Sequence, residues 1–107
     1  MNSEEVKALV SAEIHAGLQF ENFHGITPEN LAAFLVEPYE LVVDPDDLET
    51  HSRPMWVVLH ERRNPREGYV VVFDPQYQSW GVAEFNTDST ATLLVAASSL
   101  SEALTGM

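Results

Sequence analysis

Residues 55–85 read MWVVLHERRNPREGYVVVFDPQYQSWGVAEF. Met55 to His60 is a run rich in β-formers, and Tyr69 to Phe73 is an apolar run of the kind found in the centre of a sheet. Asn64-Pro65-Arg66-Glu67-Gly68 between them is turn chemistry, and Asp74-Pro75-Gln76 begins a second turn. Trp80 to Phe85 alternates as a third strand. Short turns between consecutive strands imply an antiparallel meander. This stretch sets the fold class, and the flanks complete it.

Upstream, Ser3 is placed as an N-cap, with Glu4 and Glu5 complementing the first-turn dipole. Val6, Leu9, Val10 and Ile14 recur at helical spacing, and Gly17 is a natural stop, so residues 4–16 predict an amphipathic helix. Thr27-Pro28-Glu29 is a helix-start signal, and Leu31, Phe34 and Leu35 predict a second helix over 28–36, ended by Pro38. Tyr39 to Val43 predicts a strand, followed by a polar loop from Asp44 to Arg53. Downstream, Asn86-Thr87-Asp88-Ser89 is a turn. The last segment admits one long helix through Leu93, Leu94, Ala97, Leu100 and Leu104. The favoured alternative is a strand over 92–96 and a helix over 100–105, opened by the Ser99-Leu100-Ser101-Glu102 capping box. The expected order is α-α-β-β-β-β-β-α. That is an α+β domain with two N-terminal helices, a four- to five-strand antiparallel meander and a short C-terminal helix, in two layers.

The chain has 107 residues, 45% of them hydrophobic, which suits one packed domain. Cysteine is absent, which excludes disulfides and thiol chemistry. No apolar run reaches membrane-spanning length, and the opening MNSEEVKALV does not read as a signal peptide, so a cytoplasmic location is expected. The net charge is -12. Eleven acids and one base, Lys7, fall in residues 1–50, against six acids and four arginines in 51–107. Such a field repels nucleic-acid phosphates and anionic membranes and favours cationic partners. The arginines, Arg53, Arg62, Arg63 and Arg66, are clustered. A homo-oligomer in which they meet the acidic half of a second copy is therefore allowed.

The acidic loop Asp44-Pro45-Asp46-Asp47-Leu48-Glu49-Thr50-His51 is the one candidate for a hard cation. It departs from the calcium-loop pattern, with Leu48 in place of a polar ligand, Glu49 in place of glycine and Met55 in place of the closing glutamate. No metal or cofactor is expected. His15, His24, His51 and His60 lack metal-ligand spacing. There is no nucleophile elbow and no glycine-rich phosphate loop, and Ser98 and Ser99 read as caps. An enzyme is not expected. Trp56, Tyr69, Phe73, Tyr77, Trp80 and Phe85 lie on or between the strands, where an exposed set would form a binding face. The candidate binding residues are Asp44, Asp46, Asp47, Glu49, Trp56 and Trp80.

Two stretches carry a family resemblance: Tyr69-Val70-Val71-Val72-Phe73-Asp74-Pro75 with Trp80-Gly81-Val82-Ala83, and Ala97-Ser98-Ser99-Leu100-Ser101-Glu102-Ala103-Leu104. They resemble the tail of small bacterial SUKH-type domains, and the element order is similar over most of the chain. The chain differs in having Val36-Glu37-Pro38 where the family has glycine, and Pro65-Arg66-Glu67-Gly68 where it has a Gly-Asp turn. The resemblance implies an immunity protein that binds and neutralises a toxin; it assigns no site residue. The expected function is thus a non-enzymatic acidic module that engages a basic protein surface. The alternatives are a nucleic-acid mimic that blocks a DNA-binding protein, and a small enzyme or metal-binding domain.

Overall fold

The computed structural model describes residues 1–45 and 51–107. Helix α1 spans Ser3–His15 and α2 spans Leu100–Gly106. Among the described residues, five strands lie between them: β1 Leu35–Asp44, β2 Arg53–His60, β3 Tyr69–Asp74, β4 Ser79–Phe85 and β5 Thr90–Ala97. Consecutive strands pair antiparallel. A parallel pairing of Val42–Asp44 with Thr90–Thr92 joins the first strand to the last and closes the sheet into a barrel. The expected meander is present, but it closes on itself where two layers, with the helices on one face of an open sheet, were expected.

The barrel has two cores, one on each side of its wall. Leu41, Val43, Met55, Val57, Val70, Val72, Ala83 and Ala91 fill the interior. The residues alternating with them, including Trp56, Val58, Val71, Phe73, Trp80 and Val82, face outward under Val6 and Val10 of α1 and Leu100, Ala103 and Leu104 of α2. This explains the unbroken apolar run of β3: both of its faces are buried. Irregularities in register at Val57/Leu59 and Val82/Ala83 let the strands bend into closure. Gly81 lies beside the second. A Cβ there would come within 2.6 Å of Leu93 Cδ1 and 2.7 Å of the Val95 carbonyl oxygen, so β4 and β5 approach too closely for a side chain.

The helix ends follow the sequence with one shift. The cap of α1 is Asn2, one residue before Ser3. Its side chain accepts from Glu5 N–H at 2.9 Å, and the Glu5 carboxylate accepts from Asn2 N–H at 3.2 Å. At α2 the Ser99 hydroxyl accepts from Glu102 N–H at 3.0 Å, and the strand-then-helix reading of residues 92–105 holds.

The second N-terminal helix, expected over 28–36, does not form. Thr27 and Asn30 cap each other: Thr27 N–H donates to Asn30 Oδ1 at 2.7 Å, and Asn30 N–H to Thr27 Oγ1 at 3.3 Å. The chain then makes a single 3-10 turn, Leu31–Ala33. Leu35 already pairs with Leu59, so the hydrogen bonds of the sheet take over from those of a helix. Pro38 lies within β1 instead of ending a helix. It falls in the register irregularity between Leu35 and Tyr39, where a missing N–H costs no ladder bond. Its carbonyl accepts the Ser3 hydroxyl at 3.0 Å, tying α1 to the strand.

Candidate functional site

The pleat of β1 sorts the acids. Leu41 and Val43 turn into the barrel, while Glu40, Val42 and Asp44 turn out to solvent. Val42 is 44% exposed, and Leu94 on β5 is 45% exposed. Helix α1 packs on β1 and β2 and α2 on β4 and β5, leaving this outward row uncovered. In the row a single valine stands between two carboxylates. Lys7 does not offset it, because Lys7 Nζ is held 2.7 Å from Glu37 Oε2 and 4.0 Å from Glu4. The hydrogen bond from Glu37 raises the Lys7 pKa, and the same contact lowers that of Glu37. Glu40 has no ion pair among the described residues.

The end of the barrel from which β1 leaves and into which β2 enters is its mouth. Val43 pairs with Arg53 there, and Arg53 follows the inward parity of Met55. Its guanidinium meets Asp74 at the end of β3, with Nη2–Oδ2 at 2.6 Å and Nε–Oδ2 at 3.2 Å. Both side chains are largely buried, at 14% and 6% exposure. The carboxylate hydrogen bond raises the Arg53 pKa further. Asp74 Oδ1 also accepts Gln76 N–H at 3.0 Å, and the exposed Tyr77 ring lies 4.9 Å from Arg53 Cζ. Beside this pair is a cavity of about 260 Å³, with Met55, Val72, Leu93, Trp80 and Ala96 in its lining.

The opposite end is polar. Glu61 Oε1 accepts Tyr69 N–H at 3.1 Å, and Oε2 lies 3.4 Å from both His24 Nδ1 and Arg62 Nε. These groups line an open cleft of about 350 Å³ that also holds Arg66, Glu67 and Glu84. Next to it, the Tyr39 hydroxyl and His60 Nε2 are 2.8 Å apart. With Nε2 unprotonated, the hydroxyl donates to it. Burial lowers the His60 pKa, since the charged ring is the form that needs water. A histidine with a lowered folded pKa contributes stability that is present above the unfolded value, about 6.5. That stability is lost as pH falls through the folded value. The urea midpoint should therefore fall more in wild type than in His60→Gln between about pH 7.5 and about pH 5. Equal falls would show that this ring contributes nothing.

Of the six residues expected to bind, Asp44 stands on the outward row at the end of β1. Asp46, Asp47 and Glu49 lie outside the described residues. Trp56 and Trp80 are core residues, 9% and 6% exposed, in the cluster that α1 and α2 cover. Trp80 packs edge-on against Phe73, with ring centroids 5.0 Å apart, and its burial keeps it from forming an exposed aromatic face. Among the described residues, the exposed aromatics are Phe23 and Tyr77. The Arg53–Asp74 pair and the Glu61 cluster were not foreseen. The antiparallel pairing of β2 with β3 brings the first together, whereas the sequence reading placed Arg53 at the end of a polar loop and Asp74 at the start of a turn.

Among the described residues, no group of three His, Asp or Glu is placed to hold a metal ion, and no helix is long and apolar enough to cross a membrane. Comparison with protein-family models, curated proteins and solved structures finds no match.

Proposed function

We propose that the protein is a non-enzymatic binding module whose acidic face engages a cationic protein surface, in the manner of an immunity or inhibitor protein. The observation that carries this reading is the outward row Glu40, Val42 and Asp44, two carboxylates about an exposed valine, with the nearby Lys7 already taken up by Glu37. In the sequence, Asp46, Asp47 and Glu49 follow shortly after it. The resemblance to SUKH-type immunity domains supports the same class. A toxin nuclease is a natural partner, because an enzyme that attracts phosphate must itself be basic. In that cleft the Glu61 carboxylate is 6% exposed and already engaged by Tyr69 N–H, His24 and Arg62, which favours a structural part for it over acid–base chemistry.

Complementary fields act mainly on the rate of encounter and are screened by salt. Pull-down from the source cell should retain a basic partner at about 50 mM salt and lose most of it by about 300 mM. With that partner purified, charge reversal at Asp44, Asp46, Asp47 and Glu49 should slow association about tenfold or more at low salt, with a smaller change in dissociation. An acidic partner, or retention indifferent to salt, would refute the reading.

A further inference from the structure

We propose that Phe23 is an anchor: a ring held out to solvent by a fixed turn, which enters an apolar pocket of the partner whose rim carries lysines or arginines. This rests on the cationic-partner reading and adds the contact that holds such a partner once it has arrived. Phe23 is 91% exposed, whereas Phe20, Phe34, Phe73 and Phe85 are all buried or half-buried. A lone exposed apolar side chain is ordinary on a protein surface, so exposure by itself argues nothing. What sets Phe23 apart is the backbone that carries it. Asn22 Nδ2 donates to the Leu104 carbonyl of α2 at 2.8 Å, and Asn22 Oδ1 accepts His24 N–H at 2.7 Å. Before the turn, Gln19 N–H donates to Ser101 Oγ at 3.2 Å, and Phe20 packs on the core. After it, the His24 ring stands edge-on to Tyr69 with centroids 5.4 Å apart. Gly25 then takes a φ of +85°, Asn30 Nδ2 donates to its carbonyl at 2.9 Å, and Ile26 is 1% exposed in the core. The turn is tied to α2 on one side of Phe23 and to the barrel on the other. A group already fixed in its bound position loses little freedom on binding.

The surround identifies the partner's chemistry. Between Lys7 and Arg53 the sequence holds no lysine or arginine. Glu21, two residues before Phe23, and Glu29 are exposed and have no ion pair among the described residues. Arg62 reaches the Glu61 carboxylate that also faces His24 and is offset there. Arg66 is turned to the Asn86 carbonyl and the Phe85 ring, and Arg63 lies toward Phe34 and Val36. His24 lines the same cleft as Glu84, another exposed carboxylate. Glu84 pairs in register with Thr92, and Thr92 with Asp44. Glu84 therefore lies two strands, roughly 10 Å, from the β1 row, within the span of one partner surface. A pocket with an uncharged or acidic rim would draw Glu21 and its neighbours out of water with nothing to meet them. A cationic rim meets them and leaves the ring as a buried anchor in a charged surround.

The test uses the full chain, the variant Phe23→Ala and two synthetic hosts: β-cyclodextrin, whose apolar cavity has a neutral rim, and its per-amino derivative, whose rim is cationic. Phe23→Ala removes a ring that lies outside the core, so its urea midpoint should match that of wild type. At about 50 mM salt the per-amino host should bind wild type about tenfold tighter than the plain host. It should shift the Phe23 ring signals in NMR, and Phe23→Ala should lose this binding. With the basic partner purified, Phe23→Ala should speed dissociation about tenfold or more and leave association nearly unchanged, the reverse of charge reversal on the acids. If dissociation is unchanged while charge reversal still slows association, the anchor is overturned and the acidic-face reading survives. If the plain host binds Phe23 as tightly as the charged one, the cationic surround fails and the proposal with it. Amide relaxation that shows Asn22 to His24 moving freely on the nanosecond scale would overturn the fixed turn. If no basic partner is retained at low salt, both readings fail.

Discussion

Trp80→Ala is expected to lower the unfolding free energy by about 4 kcal/mol. The indole is 6% exposed and fills the space between β4, Phe73 and the helix-covered core. Removing it takes away transfer free energy and leaves a cavity that surrounding strands can close only in part, because they are tied into a barrel. Urea unfolding followed by far-UV circular dichroism would measure the loss. Trp56→Ala should cost about as much, since its ring is buried in the same cluster. A change below about 1 kcal/mol for Trp80 would mean that the side chain is not a packing element, contrary to its burial.

The second large effect concerns the barrel mouth. Asp74→Ala strands the Arg53 guanidinium in a largely buried position and also removes the acceptor for Gln76 N–H. The expected loss is about 3 kcal/mol, at the lower end for a broken buried pair because Arg53 keeps some access to water. The double replacement Arg53→Met with Asp74→Leu removes both charges at once. It should recover to within about 1 kcal/mol of wild type, since a buried ion pair returns little beyond its own desolvation cost. The single variants Arg53→Met and Asp74→Leu, with the double and wild type, compared by urea midpoint, form a complete cycle. A double variant as unstable as Asp74→Ala would show that the pair specifies the mouth geometry and does not merely satisfy itself.

Strand identity was legible in the sequence because β3 and its neighbours pair locally. Tyr69 to Asp74 and Ser79 to Phe85 are joined by a short turn, and their composition alone sets them as strands. Helix α2 was legible from Ser99 and Glu102, two residues whose cap is a local hydrogen bond. The error over residues 28–36 has the opposite origin. Thr27-Pro28 does start a turn, and Leu31 does bury, but the pairing of Leu35 with Leu59 depends on a partner far along the chain. The same holds for barrel closure, which joins Val42 to Thr90. The tryptophans were misjudged for a related reason. Their alternation was visible, but which face the helices would cover was not. The acid row of β1 lies between these cases: its charge was plain, while its outward direction depended on the register of Leu41 and Val43.

The seam between β1 and β5 carries a kinetic consequence. It is only three residues long on each strand, and it brings together segments that every other strand must first hold in place. Loop-closure entropy makes such a junction the last to zip and the first to part. A transient parting there would wet the eight interior apolar residues without unwinding either helix. Deuterium should therefore reach the amides of Thr90 to Thr92 well before those of Val70 to Val72, and the breathing of this junction would govern how often the molecule offers a sticky edge to its neighbours.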